Sequence, residues 1–366
     1  YLLIGFRREK IYMAAYNQPC AKFDKNSGYV WYGNNCRFTR IINGEVVIDQ
    51  RFHPNNKGFI SHNDFQYKKA NASIKRLVVF GDSFTSGIFL EKPWTEYMDD
   101  AVNSTDSVTY EFYNFGIDGG GLYNWHQLFF NELVPNYEFD GVIMACFADN
   151  LYRDLSIFHT TADAGYFNRF KTIPKDEQDF QKNYLPDMGQ NAVVLQDADI
   201  DLAIKKKYET TSFYHFKKLD VYILKNIALR AVNLYEQIRL KNEMRKPEVN
   251  FSVERMTEKI TPLKFKRFEE IINYCDSKKL PVILCAIPVK EGIIVNKQGI
   301  TTQHQGELKF LSDHYKLSYF DGYKVFSSLS DAEIESCWIA NDPHWGNKGN
   351  QLFASAFADF FLSKNK

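Results

Sequence analysis

Four short, largely apolar runs, each stopping at a polar or turn-forming residue, constrain this chain more than any other feature. RLVVF (76–80), TYEFYNF (109–115), FDGVIMACF (139–147) and LPVILCAIP (280–288) read as parallel strands covered on both faces. Helical patterns lie between them. PWTEYMDDAV carries Pro93 near its first turn. TPLKFKRFEEIINYCDSKK starts with Thr261 as cap and Pro262 at the first helical position, with Phe268, Ile271, Ile272 and Cys275 on one face. LSYFDGY reads as a fifth strand and GNKGNQLFASAFADFFL as a closing amphipathic helix. Strands alternating with helices predict an α/β chain: three layers, α/β/α, around a doubly wound parallel sheet of five strands.

Two segments break this rhythm. Residues 1–70 contain GYVWYG, RFTRIING and EVVIDQRF, short alternating runs separated by Asn-Gly and Asn-Asn, and are expected to form a small β-rich accessory module. The α/β domain then divides into residues 71–154 and 261–366. Between them, 155–260 begins with a loop rich in Asp, Gln and Asn and continues into a long helical stretch from SFYHF to NEMR. It is too long for a plain connection and is expected as a helical cap over the carboxyl edge of the sheet, or as a bystander subdomain.

Composition narrows the function classes. Of 366 residues, 45% are hydrophobic and 25% charged, enough for a packed core. Lys and Arg number 45, as do Asp and Glu, so no global field draws the chain to nucleic acid or an anionic membrane. No stretch approaches the ~20 apolar residues of a spanning helix. The chain starts at Tyr1, and YLLIGF followed by RREK reads either as the remnant of an apolar leader or as a first packed segment. Six cysteines match no zinc spacing, so no metal is expected; Cys146 and Cys285 read as buried thiols, and Cys20 and Cys36 as a candidate disulfide. The 31 Phe and 22 Tyr serve packing or a carbohydrate-facing cleft.

The chemistry-bearing residues cluster in loops that follow strands. VVFGDSFTSG ends an apolar run on Gly81-Asp82-Ser83, either an ordinary turn or a nucleophile at the carboxyl end of a strand. The second loop is NFGIDGGG, the third FADNLYRD with Asn150 and Asp154, and the last NDPHWGNKG with Asp342, His344 and Trp345. A serine hydroxyl attacks an acyl carbon only when a base takes its proton, and a histidine oriented by a carboxylate supplies that base. The oxyanion then needs preorganised donors. A phosphate-loop reading of GIDGGG fails on spacing and on the missing Gly-Lys-Ser/Thr.

In these loops the chain resembles the SGNH (GDSL-type) hydrolase superfamily. Gly81-Asp82-Ser83 matches its first block, Asn114 through Gly119 its second, Asn150 its third and His344 its fourth. The likeness spans residues 75–150 and about 263–366. Two positions depart: Phe147-Ala148-Asp149-Asn150 replaces the usual Gly-x-Asn-Asp, and Asn341 stands where Asp often precedes His by three. Asp342 instead makes the Asp-x-His form of the branch similar to polysaccharide O-acetyl esterases and acetyltransferases.

The resemblance implies a flavodoxin-like sheet and a catalytic set of Ser83, His344 and Asp342. It implies oxyanion donors at the Ser83 and Gly119 N–H groups and the Asn150 amide, with Trp345 and Asp154 as weaker cleft candidates. It implies a serine esterase acting on O-acyl groups, such as O-acetyl groups of a carbohydrate, without metal or organic cofactor. It also implies an extracytoplasmic setting, periplasmic or secreted, with the leader missing from this chain. An O-acetyltransferase with the same site and a non-catalytic carbohydrate-binding protein are the alternatives. Expected partners are small-molecule or carbohydrate esters, with neither nucleic acid nor an integral membrane segment.

Overall fold

The computed structural model describes residues 12–42, 45–104, 108–214 and 262–365. Two sheets organise them. The first in chain order begins with β1 (Tyr12–Tyr16); the hairpin β2 (Ala21–Asp24) and β3 (Gly28–Trp31) stands apart as a ribbon, and β4 (Cys36–Ile42) and β5 (Glu45–Phe52) return to pair antiparallel beside β1. The second sheet comprises β6 (Lys75–Gly81), β7 (Tyr110–Gly116), β8 (Gly141–Phe147) and two later strands.

Residues 155–194 correct one expectation. Where a helical cap was read, the chain forms β9 (Leu155–Thr160), β10 (Ala164–Phe170) and β11 (Gly189–Val194), with a short helix Glu177–Asn183 between the last two. The strands extend the first sheet into the order β5-β4-β1-β11-β10-β9, in which β1 and β11 are parallel and the other pairs antiparallel. The physical reason is edge pairing: β1 has a free side that β11 satisfies, although the paired residues Tyr16 and Val194 lie 178 positions apart. AGYFNRF and GQNAVV are short and rich in small or polar residues, so their local pattern carries no strand signal. A helix does follow at Asp197–Tyr214; the stretch expected beyond it and the Thr261 cap lie outside the described residues.

The second sheet is completed by β12 (Val282–Ile287) and β13 (Ser318–Asp321) and is parallel throughout, in the order β13-β12-β8-β6-β7. This is the flavodoxin-like strand order that the resemblance implied. Its centre is dry: Val78, Val79, Phe80, Val142, Ile143 and Leu284 have no exposed surface. Helices Trp94–Asn103, Pro262–Ser277 and Asn347–Asn365 cover it, and Phe268, Ile271, Ile272 and Cys275 of the second are all buried, as its periodicity implied.

The N-terminal segment is not a detachable module. Tyr16 and Phe38 from the first sheet and Trp31 from the ribbon share one continuous core with the parallel sheet. Phe65, in the connection between the sheets, stacks on Tyr113 of β7 with ring centroids 4.2 Å apart. Among the described residues no helix is long and apolar enough to cross a membrane.

Cys20 and Cys36 form a disulfide across 16 residues at the start of β4, and both are fully buried. Closing a loop of this length removes unfolded-state entropy worth about 3 kcal/mol. The double replacement Cys20→Ser with Cys36→Ser is expected to lose about that much in urea unfolding, and reductant should leave the variant unaffected while shifting wild type toward it.

Candidate active site

Ser83 owes its place to the end of β6. The strand stops at Gly81, and Asp82 caps a one-turn helix, Ser83–Ser86, by accepting from the Phe84 N–H at 3.1 Å. The turn is so tight that a Cβ on Gly81 would sit 2.0 Å from Thr85 Oγ1, which explains the glycine. Ser83 is thereby held at the carboxyl edge of the sheet with its hydroxyl facing a cleft of about 320 Å³.

His344 and Asp342 arrive from the loop before the last helix. Ser83 Oγ lies 2.6 Å from His344 Nε2, and His344 Nδ1 lies 2.5 Å from Asp342 Oδ1. The His344 backbone N–H also donates to that carboxylate oxygen at 3.0 Å. Residues two apart on one turn therefore make both contacts. Asn341, at the position where the family often carries Asp, has φ +61°, a left-handed conformation that Asn tolerates. The imidazole is clamped between the rings of Phe84 and Phe89, at 4.9 and 4.6 Å.

Electrostatics favour an ionised Asp342. Burial alone raises its pKa, but the hydrogen bond and charge of His344 and the charge of Arg40 bring it down to about 2. Arg40, from β4, donates through Nη1 to Asp342 Oδ2, the oxygen that His344 does not use. Asp118, in the loop after β7, lines the same cleft; burial raises its pKa, partly offset by the charges of His344 and Arg40.

The loop after β7 presents Gly119 with φ +70°, the left-handed region in which glycine carries no steric cost. The β2–β3 ribbon and the first sheet tie this loop down: Tyr29 OH donates to the Asp118 carbonyl and Ser156 Oγ to the Gly119 carbonyl, both at 2.7 Å. Because a trans peptide is planar, fixing the Asp118 carbonyl fixes the Gly119 N–H on the opposite side. Asn114 is buried; it donates to the Thr85 carbonyl at 2.8 Å and accepts from the Gly116 N–H at 2.9 Å, holding this loop to the Ser83 turn.

Asn150 corrects an expectation. The Phe147 N–H can only donate, so it fixes Asn150 Oδ1 toward itself, and the amide nitrogen then donates to Asp82 Oδ2 at 3.1 Å and to the Gly120 carbonyl at 3.0 Å. Both amide hydrogens are committed and the residue has no exposed surface, so it braces the Ser83 turn instead of offering a donor to the cleft. Arg153 joins it, with Nη1 2.8 Å from both Asp82 Oδ2 and the Gly120 carbonyl.

The two weaker cleft candidates are placed elsewhere. Asp154 pairs with Lys264 at 2.8 Å, away from the cleft. Trp345 is 1% exposed and packs edge-on against Phe84 and tilted against Phe353, a wall behind the site. Sequence reasoning missed Arg40, Phe38, Phe158, Phe167 and Arg169, which line the cleft from the first sheet, and Tyr29, which lines it from the β2–β3 ribbon. No local motif marks them, because only sheet assembly brings them to Ser83. No group of three metal-ligating side chains occurs among the described residues.

No family model and no curated protein matches this sequence. Several solved structures are similar to it. The lipase/acylhydrolase from Enterococcus faecalis is 13% identical, with 79% of this chain and 96% of that one covered and a TM-score of 0.38. An acetylxylan esterase from Geobacillus stearothermophilus is 12% identical, with 79% and 93% covered and a TM-score of 0.38. A lipolytic protein of the G-D-S-L family from Desulfitobacterium hafniense DCB-2 is 10% identical, with 78% and 98% covered and a TM-score of 0.36. At these identities and TM-scores the functional reading rests on the geometry above.

If Asn150 is a brace, Asn150→Ala leaves the Phe147 N–H and part of the Asp82 carboxylate without partners. The expected result is a loss of about 1–3 kcal/mol in urea unfolding. A stability unchanged from wild type, with a large fall in turnover, would return Asn150 to the oxyanion role.

Proposed function

We propose that this chain is a serine ester hydrolase in which Ser83 is the nucleophile. The observation that carries the reading is the continuous relay from Ser83 Oγ through His344 to Asp342, at 2.6 and 2.5 Å, at the wall of a cleft. His344 Nε2 takes the proton as Ser83 Oγ attacks the ester carbonyl. The negative charge on the carbonyl oxygen is met by the N–H groups of Ser83 and Gly119, neither of which hydrogen-bonds to another described residue. His344 then returns the proton to the departing alkoxide, and water, deprotonated by the same imidazole, releases the acyl group from Ser83. Asp342 keeps the imidazole in one tautomer and stabilises its charged form.

The substrate we propose is a small acyl ester, an O-acetyl group among them, borne by a carbohydrate. The cleft volume of about 320 Å³ suits a short acyl chain, and the partly exposed ring of Phe167 in the cleft wall offers an apolar surface to a sugar ring. An oxidising, extracytoplasmic setting is proposed on the strength of the Cys20–Cys36 disulfide.

The test is hydrolysis of p-nitrophenyl acetate and of acetylated oligosaccharides by wild type and Ser83→Ala. Wild-type activity lowered ~10³-fold or more in the variant is the expected result, since removing a triad member acts at that scale. Equal rates in the two proteins would refute the reading.

A further inference from the structure

The triad's acid is held from two sides, and the second side comes from a part of the chain to which no catalytic role has been given. Asp342 is 2% exposed at its side chain; Oδ1 serves His344, and Oδ2 accepts from Arg40. Arg40 sits on β4, in the middle of the strand that pairs with both β1 and β5. Its guanidinium lies over the rings of Phe38 and Phe89, with centroids at 5.2 and 5.1 Å, and Phe89 in turn packs edge-on against the His344 ring. The arginine side chain is 17% exposed. A guanidinium this desolvated is retained where it pairs with a carboxylate in fixed geometry.

We propose that Arg40 is a positioning residue for the hydrolytic site, and that the six-stranded sheet carrying it is an integral part of the catalytic apparatus. The proposal rests on the esterase reading above and extends it. Asp342 stands on a turn whose only other anchor on its carboxylate is the histidine it must orient. With Oδ2 free, rotation of the carboxylate would cost the Nδ1 contact its direction; with Oδ2 held by Arg40, the imidazole keeps Nε2 aimed at Ser83. The charge matters as well. Arg40 keeps Asp342 ionised and opposes build-up of positive charge on the neighbouring ring.

The charged groups facing His344 are Asp342 on its own loop, Asp82 beside Ser83, Asp118 after β7, Arg40 on β4, Arg153 after β8 and Arg169 on β10. Removing only the Arg40 cation leaves three carboxylates and two guanidiniums around the ring. The sign follows: the protonated imidazole becomes easier to hold, so activity on the acidic side must be lost at higher pH than in wild type.

The experiment compares wild type, Arg40→Gln, Arg40→Lys, Asp342→Asn and the Arg40→Gln/Asp342→Asn double variant with p-nitrophenyl acetate across pH 5–9. Arg40→Gln is expected to lower kcat ~10- to 100-fold with KM changed less than about twofold. It should also move the acid limb of the profile up by about half a pH unit or more. Arg40→Lys should return the limb to its wild-type position, and adding Arg40→Gln to Asp342→Asn should lower kcat no further. An unmoved limb in Arg40→Gln, or losses that multiply in the double variant, would overturn the proposal in favour of simple packing. A second measurement does not depend on activity. Asp342, with its pKa depressed to about 2, contributes stability above the ordinary carboxylate range that is lost as pH falls toward 2. Urea unfolding at pH 5 and pH 2.5 should therefore show a smaller acid loss in Arg40→Gln than in wild type, and no such difference once Asp342 is Asn. Absence of Ser83-dependent hydrolysis in wild type would reject the esterase reading, while the urea series still decides whether Arg40 governs Asp342.

Discussion

Two oxygen atoms, Asp82 Oδ2 and the Gly120 carbonyl, hold the carboxyl edge of the parallel sheet together. Asn150 and Arg153 each donate to both of them, at 2.8 to 3.1 Å. Asp82 belongs to the turn after β6, Gly120 to the loop after β7, and Asn150 and Arg153 to the turn after β8. Three crossover loops that share no local sequence are thus fastened at one point, almost entirely out of water. Asp82 uses its other oxygen to cap the helix that starts at Ser83. A charged cluster in such a place is costly unless every lone pair and proton is used, and here Asn150 uses its full amide.

That fastening sets where Ser83 can stand, and the six-stranded sheet together with the β2–β3 ribbon sets what surrounds it. Tyr29 fixes one peptide of the Gly119 loop, Ser156 fixes the next, and Arg40 reaches the far oxygen of Asp342. The first comes from the β2–β3 ribbon, the second from β9 and the third from β4. Asn124 links these layers again, donating to the carbonyls of Ser27 and Ser156 at 2.8 Å each. The parallel sheet therefore carries Ser83 and the loop before the last helix carries His344 and Asp342, whereas the strands before and after the first half of that sheet carry the groups that hold them in place. Rigid positioning by neighbouring hydrogen bonds is what turns a serine and a histidine within reach into a reactive pair.

Much of this was legible from the chain. Largely apolar runs placed β6, β7, β8 and β12, because a strand buried on both faces cannot alternate, and LSYFDGY placed β13 as a shorter fifth strand. Gly81-Asp82-Ser83 and Asp342-x-His344 were legible as chemistry, since few other arrangements need a hydroxyl after a strand and an imidazole beside a carboxylate. Asn150 misled for a physical reason. Its residue type suits an oxyanion donor, yet which way an amide faces depends on the donors around it, and the Phe147 N–H decides that only after β8 has ended in its turn. Trp345 misled likewise, because its place next to His344 in sequence says nothing of which side of the turn its ring takes.

What the sequence by itself determined is the parallel sheet, its order of strands and helices, and the types of side chain at its carboxyl edge, all of which follow from local periodicity and turn chemistry. What only the tertiary structure decided is the six-stranded sheet, in which β1 pairs with β11 across most of half the chain, and the contacts that Arg40 and Ser156 from this sheet and Tyr29 from the ribbon make with the site. Pairing between distant strands leaves little local trace: each edge is satisfied by backbone N–H and C=O groups that every residue carries. The partner of a strand is chosen by the whole fold, and so are the residues that the strand delivers.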